Sequence, residues 1–370
     1  MNVCLDARTA TRHFPGIGRY TFNLARALTP LLGGHDRLVI LRDPRMSSHW
    51  QLDPLRTERV AVVDVPMTPF SMRQQWSLPR RLRQLGVDVY HSPFYLMPLR
   101  PGVPSVVTIH DLIPLHDAAA FTPLRRRAFR MATRLAVRVA REIIAVSRVT
   151  AADIERLLGV PPDRIRVISE APDPCFRPQP EEVTAALRRR YGLIEPYALY
   201  CGSNKPHKNL VRLVEAWARV RSARPCLVVA GKWDERYPEA QQHVRALGLG
   251  PAVRFLGGVD EAELPALYSG ATLFVFPSLY EGFGLPVLEA MACGVPVACA
   301  DGSSLTEVAG DAAVRFDPCS ADAIAAAVQE LLSDAQQRRR FVERGVQRAA
   351  QFSWEATARL TLDTYRRAMA

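Results

Sequence analysis

Short β-branched runs alternate with longer segments of helical period along nearly the whole chain, and the alternation is interrupted once. The runs fall at residues 3–5, 38–41, 60–65, 87–90, 105–109, 143–146 and 165–168. Strands alternating with helical crossovers read as βαβ units and hence as a parallel sheet. The interruption is Ala171-Pro-Asp-Pro-Cys-Phe-Arg-Pro-Gln-Pro180, whose four prolines suit neither a helix interior nor a central strand, so it is expected to be an interdomain linker. Beyond it the runs resume at 198–201, 226–230, 253–256, 273–276, 295–299 and 313–316. The pattern predicts an α/β protein of two doubly wound parallel-sheet domains, residues 1–175 and 176–352. Such sheets bind ligands beyond the carboxyl ends of their strands, so two facing sheets are expected to leave a deep cleft between lobes.

A length of 370 residues suits two domains, and 48% apolar with 23% charged residues excludes disordered and fibrous classes. No stretch approaches 18 uncharged apolar residues, and the first residues lack the basic-then-apolar layout of a signal peptide, so a cytoplasmic protein is expected. The seven cysteines are odd in number and form no Cys-x-x-Cys, which points to small buried apolar side chains rather than disulfides or zinc. Charge is uneven. Residues 1–175 hold 25 arginines against 15 acids, whereas the remainder holds 23 basic residues against 22, so ten units of the net +11 lie in the first half. Residues 121–141 carry seven arginines and no acid, with Leu124, Phe129, Leu135 and Val139 available for an apolar stripe. A weaker basic stretch covers 72–83. A basic amphipathic helix suits an anionic membrane surface, and equally a solvated helix flanking the core. No aromatics interleave with the arginines, so nucleic acid is not expected as a partner.

Four strand-end segments carry candidate chemistry. In Phe276-Pro-Ser-Leu-Tyr-Glu-Gly-Phe-Gly-Leu-Pro-Val-Leu-Glu289 a strand ends and Pro286 is well placed as the first helical residue. The amides of Gly282, Phe283, Gly284 and Leu285 then lack intrahelical partners and form an anion site at the positive end of a helix. Glu281 and Glu289 bracket it. Carboxylates accept hydrogen bonds from hydroxyls, so the layout suits a phosphate held between polyhydroxyl groups, as in a nucleotide-sugar; the plainer alternative is that both merely favour a helix N-terminus by charge. The segment 199–210 contains Ser203, Lys205 and Lys208, two of only three lysines in a chain with 45 arginines. A compact ammonium suits a diphosphate, although two lysines in a turn can also be simply solvated.

In Pro15-Gly-Ile-Gly-Arg-Tyr-Thr21, Gly16 and Gly18 could admit a phosphate, but Thr21 occupies the third glycine position and breaks the dinucleotide fingerprint. In Thr108-Ile-His-Asp111, His110 is expected at the carboxyl end of a buried strand, able to bond a sugar hydroxyl, while Asp111 braces the loop. The nearby His116-Asp117 pair reads as a surface turn without a role.

Together these segments resemble the retaining glycosyltransferases of family 4, which have the GT-B fold. The resemblance rests on Glu281-x7-Glu289 within its Pro-Ser-Leu-Tyr-Glu-Gly-Phe-Gly-Leu-Pro setting, on Thr108-Ile-His-Asp, on Ser203-x4-Lys208-Asn, and on Gly257-x-Val-x-x-x-Glu263-Leu-x-x-Leu-Tyr. It implies that Lys208 neutralises a donor diphosphate and Glu289 holds the ribose. Glu281 with the amides of Phe283 and Gly284 would hold the sugar and phosphate, His110 would lie near the reacting carbon, and Gly16 to Gly18 would close over the diphosphate. The segment 353–370 would pack back on the amino-terminal domain. Many members carry arginine where this chain has Ser203, and the serine variant resembles a subgroup that uses GDP-mannose. The implied activity is retaining hexosyl transfer, mannose foremost, from a nucleotide-sugar to a glycan or lipid-linked acceptor, with a UDP-sugar donor as the alternative.

No Asp-x-Asp occurs, so a metal-held diphosphate is not expected, nor is any other cofactor. A nicotinamide enzyme would need the glycine fingerprint that Thr21 breaks. A non-catalytic nucleotide-sugar-binding protein could use the same residues.

Overall fold

The computed structural model describes residues 1–11, 13–46, 50–116, 121–194, 196–220 and 225–370. The chain forms two compact units, Met1–Glu170 with Ser353–Ala370, and Ala171–Phe352. The first holds a seven-stranded sheet of β1 (Asn2–Asp6), β2 (Arg37–Arg42), β3 (Val60–Asp64), β4 (Val89–Ser92), β5 (Ser105–Ile109), β6 (Glu142–Ala145) and β7 (Ile165–Val167). Its helices are α1 (Pro15–Leu28), α2 (Gln74–Gln84), α3 (Ile113–His116), α4 (Pro123–Val139), α5 (Arg148–Asp153) and, from the chain's end, α14 (Trp354–Met369). The second unit holds β8 (Tyr197–Cys201), β9 (Cys226–Ala230), β10 (Val253–Gly257), β11 (Leu273–Phe276), β12 (Val297–Ala300) and β13 (Val314–Phe316). Around them lie α6 (Glu181–Tyr191), α7 (Leu210–Arg219), α8 (Glu239–Ala246), α9 (Leu264–Ser269), α10 (Leu285–Ala292), α11 (Ser303–Ala309), α12 (Ala321–Ser333) and α13 (Ala335–Ala349).

All pairings are parallel, in the orders β3-β2-β1-β4-β5-β6-β7 and β10-β9-β8-β11-β12-β13. Strand order therefore reverses between β1 and β4 and between β8 and β11, and the crevice beside such a reversal is where doubly wound sheets take ligands. The central strands are buried on both faces, which is why Leu273-Phe-Val-Phe276 is apolar throughout rather than alternating. Helix starts follow from side chains that accept from free amides: Thr122 caps α4, Ser147 caps α5, Ser320 caps α12, Asp334 caps α13 and Ser353 caps α14. Each such cap contributes about 1 kcal/mol.

Two expected strands begin late for one reason. Val87 N–H donates to Leu82 O at 3.1 Å and Val295 N–H to Ala290 O at 3.0 Å, so each residue closes the preceding helix before its strand starts. The division between units falls after Glu170 rather than after Cys175. The rest of the proline-rich segment packs within the second unit, where the Phe176 ring meets Tyr268 edge-on and Gln179 N–H donates to Ser269 Oγ. Helix α14 lies on α1 and the first sheet, with Thr357 Oγ1 donating to Ser169 O at 2.7 Å and Arg141 reaching Ala368 O.

Three expectations need correction. None of the cysteines is in a disulfide, and Cys4, Cys293 and Cys299 are buried, but Cys175 and Cys319 lie exposed in turns rather than in a core. On α4, Phe129 and Val139 pack against the core while Leu124 is 78% exposed, because the helix turns only its later residues inward. His116 ends α3 with Nε2 2.6 Å from Asp153 Oδ2, a specific polar contact rather than an idle surface turn; Asp117 lies outside the described residues.

Candidate functional site

The two motifs of the second unit meet at its strand-order reversal. The loop after β8 ends in Pro206–Lys208, and the loop after β11 runs from Pro277 to Gly284. Leu279 N–H donates to His207 O at 2.8 Å, and the Asn209 side chain donates to Pro277 O and Pro318 O, so the loops are tied by backbone acceptors. Asn209 takes a left-handed conformation (φ 60°) to do so, which asparagine tolerates better than most residues. Lys208 Nζ consequently lies 2.6 Å from Glu281 Oε1 and 5.3 Å from the centre of the Phe276 ring. With side-chain exposures of 17% and 10%, the pair is partly sheltered from solvent, and Ser278 Oγ donates to the same Glu281 oxygen. Burial, followed by the Glu281 charge, holds the Tyr200 phenol well above its ordinary value. Its hydroxyl donates to Ser203 O at 2.6 Å and sets the start of the lysine loop.

Leu285 is the first residue of α10 and Pro286 the second, with no side chain capping the N-terminus. Gly284 has φ 112°, and a Cβ there would stand 2.5 Å from Leu305, so only glycine lets the loop Glu281-Gly-Phe-Gly284 turn into the helix. Two serines strap that loop from α11. Ser303 Oγ accepts from Glu281 N–H at 3.2 Å, and Ser304 Oγ donates to Glu281 O and Phe283 O. Glu289 is 2% exposed in α10 and accepts from Tyr268 OH at 3.1 Å. Lys205 is exposed in the lysine loop. A cavity of about 230 Å³ opens at the ends of β8, β9 and β10, lined in part by Gly202, Asn204, Gly231, Trp233 and Phe255.

In the first unit, His110 follows β5, one strand from the reversal, with Nδ1 2.9 Å from Glu170 Oε1. Asp111 accepts from Ile113 N–H at 3.0 Å. Behind it runs a buried chain in which Thr108 Oγ1 lies 3.0 Å from Tyr20 OH and 2.8 Å from His91 Nε2, and His91 Nδ1 is 2.7 Å from Tyr365 OH of α14. Burial, and secondarily the neighbouring His110, pushes His91 down to about 3. Gly16 is exposed near the start of α1 with open space beside its Cα. Gly18 differs: a Cβ there would stand 2.2 Å from the Trp50 ring, so its bare Cα is covered by indole rather than open to a phosphate.

The structure thus joins Lys208, Glu281 and the Gly282–Leu285 loop. Sequence reasoning missed Ser278, Ser303, Ser304, Tyr268 and Glu170. Ser278 and Tyr268 stand inside or beside recognised motifs, so their spacing was a usable signal; Ser303, Ser304 and Glu170 lie in segments with no pattern of their own. Among the described residues no group of three His, Cys, Asp or Glu side chains is placed to hold a metal ion. Nor is any described helix long and apolar enough to cross a membrane.

Residues 15–174 match the family model described as Glycosyltransferase Family 4, and residues 187–348 match Glycosyl transferases group 1. The chain is similar to O-antigen chain mannosyltransferase B of Escherichia coli, 33% identical over 371 residues that cover 95% of this chain and 96% of that protein. It is also similar to MMP alpha-(1->4)-mannosyltransferase of Mycolicibacterium hassiacum, 28% identical over 420 residues covering 100% and 99%. Among solved structures, Anabaena HepE in complex with UDP-glucose aligns with a TM-score of 0.80 at 20% identity, covering 99% of this chain and 100% of that one. Sucrose-phosphate synthase from Thermosynechococcus elongatus aligns with a TM-score of 0.78 at 24% identity, covering 99% and 98%.

Proposed function

The chain belongs to glycosyltransferase family 4 and has the GT-B fold, and from that premise we propose that it transfers mannose from GDP-mannose, with retention and without a metal ion, to a glycan or lipid-linked acceptor. The observation that carries this reading is the contact of Lys208 Nζ with Glu281 Oε1 at 2.6 Å beside the uncapped start of α10. One ammonium and one set of loop amides attract a diphosphate, and the adjacent carboxylate accepts sugar hydroxyls. Without a ligand the ammonium rests on Glu281; a bound diphosphate takes it over and frees the carboxylate. Mannose is favoured by the two mannosyltransferase relatives matched over nearly their whole lengths and by serine at position 203.

In the proposed step the bond between the sugar C1 and the β-phosphate oxygen breaks as an acceptor oxygen bonds C1 on the same face. The acceptor's proton passes to the departing phosphate oxygen. Negative charge grows on the diphosphate, so Lys208 and the α10 amides stabilise the transition state more than the ground state. Lys208→Ala should therefore lower turnover by about 100-fold or more, the scale of losing one preorganised donor. Steady-state rates within a few-fold of wild type would remove Lys208 from the mechanism.

The same reading gives α4 a role at an anionic membrane. Leu124 and Met131 are 78% and 56% exposed, and Arg125, Arg127, Arg130, Arg134 and Arg138 are exposed on the same helix. Apolar side chains among arginines suit the headgroup boundary. The protein should float with vesicles containing phosphatidylglycerol at moderate salt and not with neutral ones; equal behaviour with both excludes the membrane role.

A further inference from the structure

His110 has two unlike ring nitrogens. Nδ1 lies 2.9 Å from Glu170 Oε1, 60 residues away in sequence, whereas Nε2 is buried with no hydrogen-bond partner among the described residues. The Glu170 side chain is itself only 6% exposed. Its backbone is held from α14, because Thr357 Oγ1 donates to Ser169 O at 2.7 Å. The Tyr20 ring meets the imidazole edge-on at 4.8 Å between centroids, and Tyr20 OH is occupied by Thr108. His91, the other nearby imidazole, has both nitrogens engaged, by Thr108 and Tyr365.

A carboxylate oxygen accepts hydrogen bonds and cannot donate them, so the Nδ1 of His110 must carry the proton at this contact. A neutral imidazole then presents a bare lone pair at Nε2. That lone pair attracts an O–H and repels the acceptor-only oxygens of a phosphate. We propose that Glu170 is a positioning residue that fixes His110 as the Nδ1–H tautomer, so that Nε2 accepts a hydrogen bond from a hydroxyl of the transferred sugar and discriminates against phosphate oxygens. The inference rests on the reading of His110 as a residue that meets the ligand. It also gives α14 a function, since Thr357 anchors the residue next to Glu170.

The most direct test is long-range ¹H–¹⁵N correlation of the ¹⁵N-histidine-labelled wild-type protein, with His110 assigned from the His110→Ala variant. A protonated Nδ1 and bare Nε2 are expected; a proton on Nε2 overturns the proposal without any need for a Glu170 variant. Kinetics give the second test. Glu170→Leu, which removes the acceptor, should lower kcat about 10- to 100-fold with the GDP-mannose KM within about threefold, whereas Glu170→Gln, whose amide oxygen can still accept from Nδ1–H, should lose less. Glu170→Leu in a His110→Ala background should cost less than about twofold more, because residues acting as a unit are not additive. Wild-type kcat in Glu170→Leu, or an undiminished loss in the His110→Ala background, overturns the proposal. Wild-type turnover in His110→Ala alone would overturn the underlying reading of His110, and the proposal with it.

Discussion

At the scale of single residues, the polar groups beneath the first sheet's carboxyl edge set a pH dependence. An unfolded histidine titrates near 6.5, while burial holds His91 down to about 3. Between those values the unfolded chain binds a proton that the folded one refuses. Stability from this group is therefore complete above about pH 6.5 and is lost as pH falls toward 3, by up to about 1.4 kcal/mol per pH unit. Asp6 adds a loss at lower pH. Burial pushes its carboxyl up, but the Arg8 charge and hydrogen bonds outweigh this and hold it below its ordinary value. Replacing His91 by Gln should flatten the slope of urea-unfolding free energy between pH 6 and pH 4 while leaving the Asp6 contribution in place; an unchanged slope would count against a buried neutral His91. The same scale separates what a reader of the sequence could find from what lay hidden. Lys208 and Glu281 are 73 positions apart, yet each sits in a dense motif at a strand end, so both could be named. Glu170 could not, because Ser169 and Glu170 fall between the apolar run 165–168 and the proline-rich segment that starts at Ala171, with no pattern of their own, and its partner is a strand-end residue 60 positions earlier.

At the scale of elements, one glycine sets how closely the loops after β8 and β9 pack. Gly231 follows β9 at φ 136°, and a Cβ there would stand 2.1 Å from Gly202 O, a backbone atom that cannot swing aside. Gly231→Ala should cost about 2–4 kcal/mol, combining a strained φ with a forced shift of the backbone that leads to Ser203 and Lys208. Chemical denaturation measures the loss, and an unchanged midpoint would mean the two loops can part freely. Strand positions were legible because parallel strands buried on both faces are continuously apolar and helical crossovers space them. The first residues of β4 and β12 were not, since Val87 and Val295 look like strand residues but spend their amides on the helices before them. Which face of α4 turns inward was likewise hidden: Phe129 and Leu124 are equally apolar, and only tertiary contacts separate them.

At the scale of the whole molecule, the chain leaves its first unit at Glu170 and returns to it at Ser353, so α14 covers a sheet that the first residues began. The proline-rich segment marked the departure in the sequence. The point of exchange itself depended on Phe176 and Gln179 finding partners in the second unit, which composition does not reveal. Residues 1–170 and 353–370 together hold 28 arginines against 16 acids, so the excess of positive charge is a property of the first unit. In the proposed function Lys208 and its loop grip the diphosphate of a guanine nucleotide-sugar. The measurement that tests it most directly is the thermal unfolding midpoint of wild type and Lys208→Ala with GDP-mannose, GDP, UDP-glucose and UDP. Ligand at about 100 times its Kd stabilises the native state by about 2.7 kcal/mol. GDP-mannose and GDP should raise the wild-type midpoint by several degrees, the uridine compounds should do so less, and Lys208→Ala should lose most of the shift. Equal shifts in both proteins, or no shift with any of the four, would contradict it.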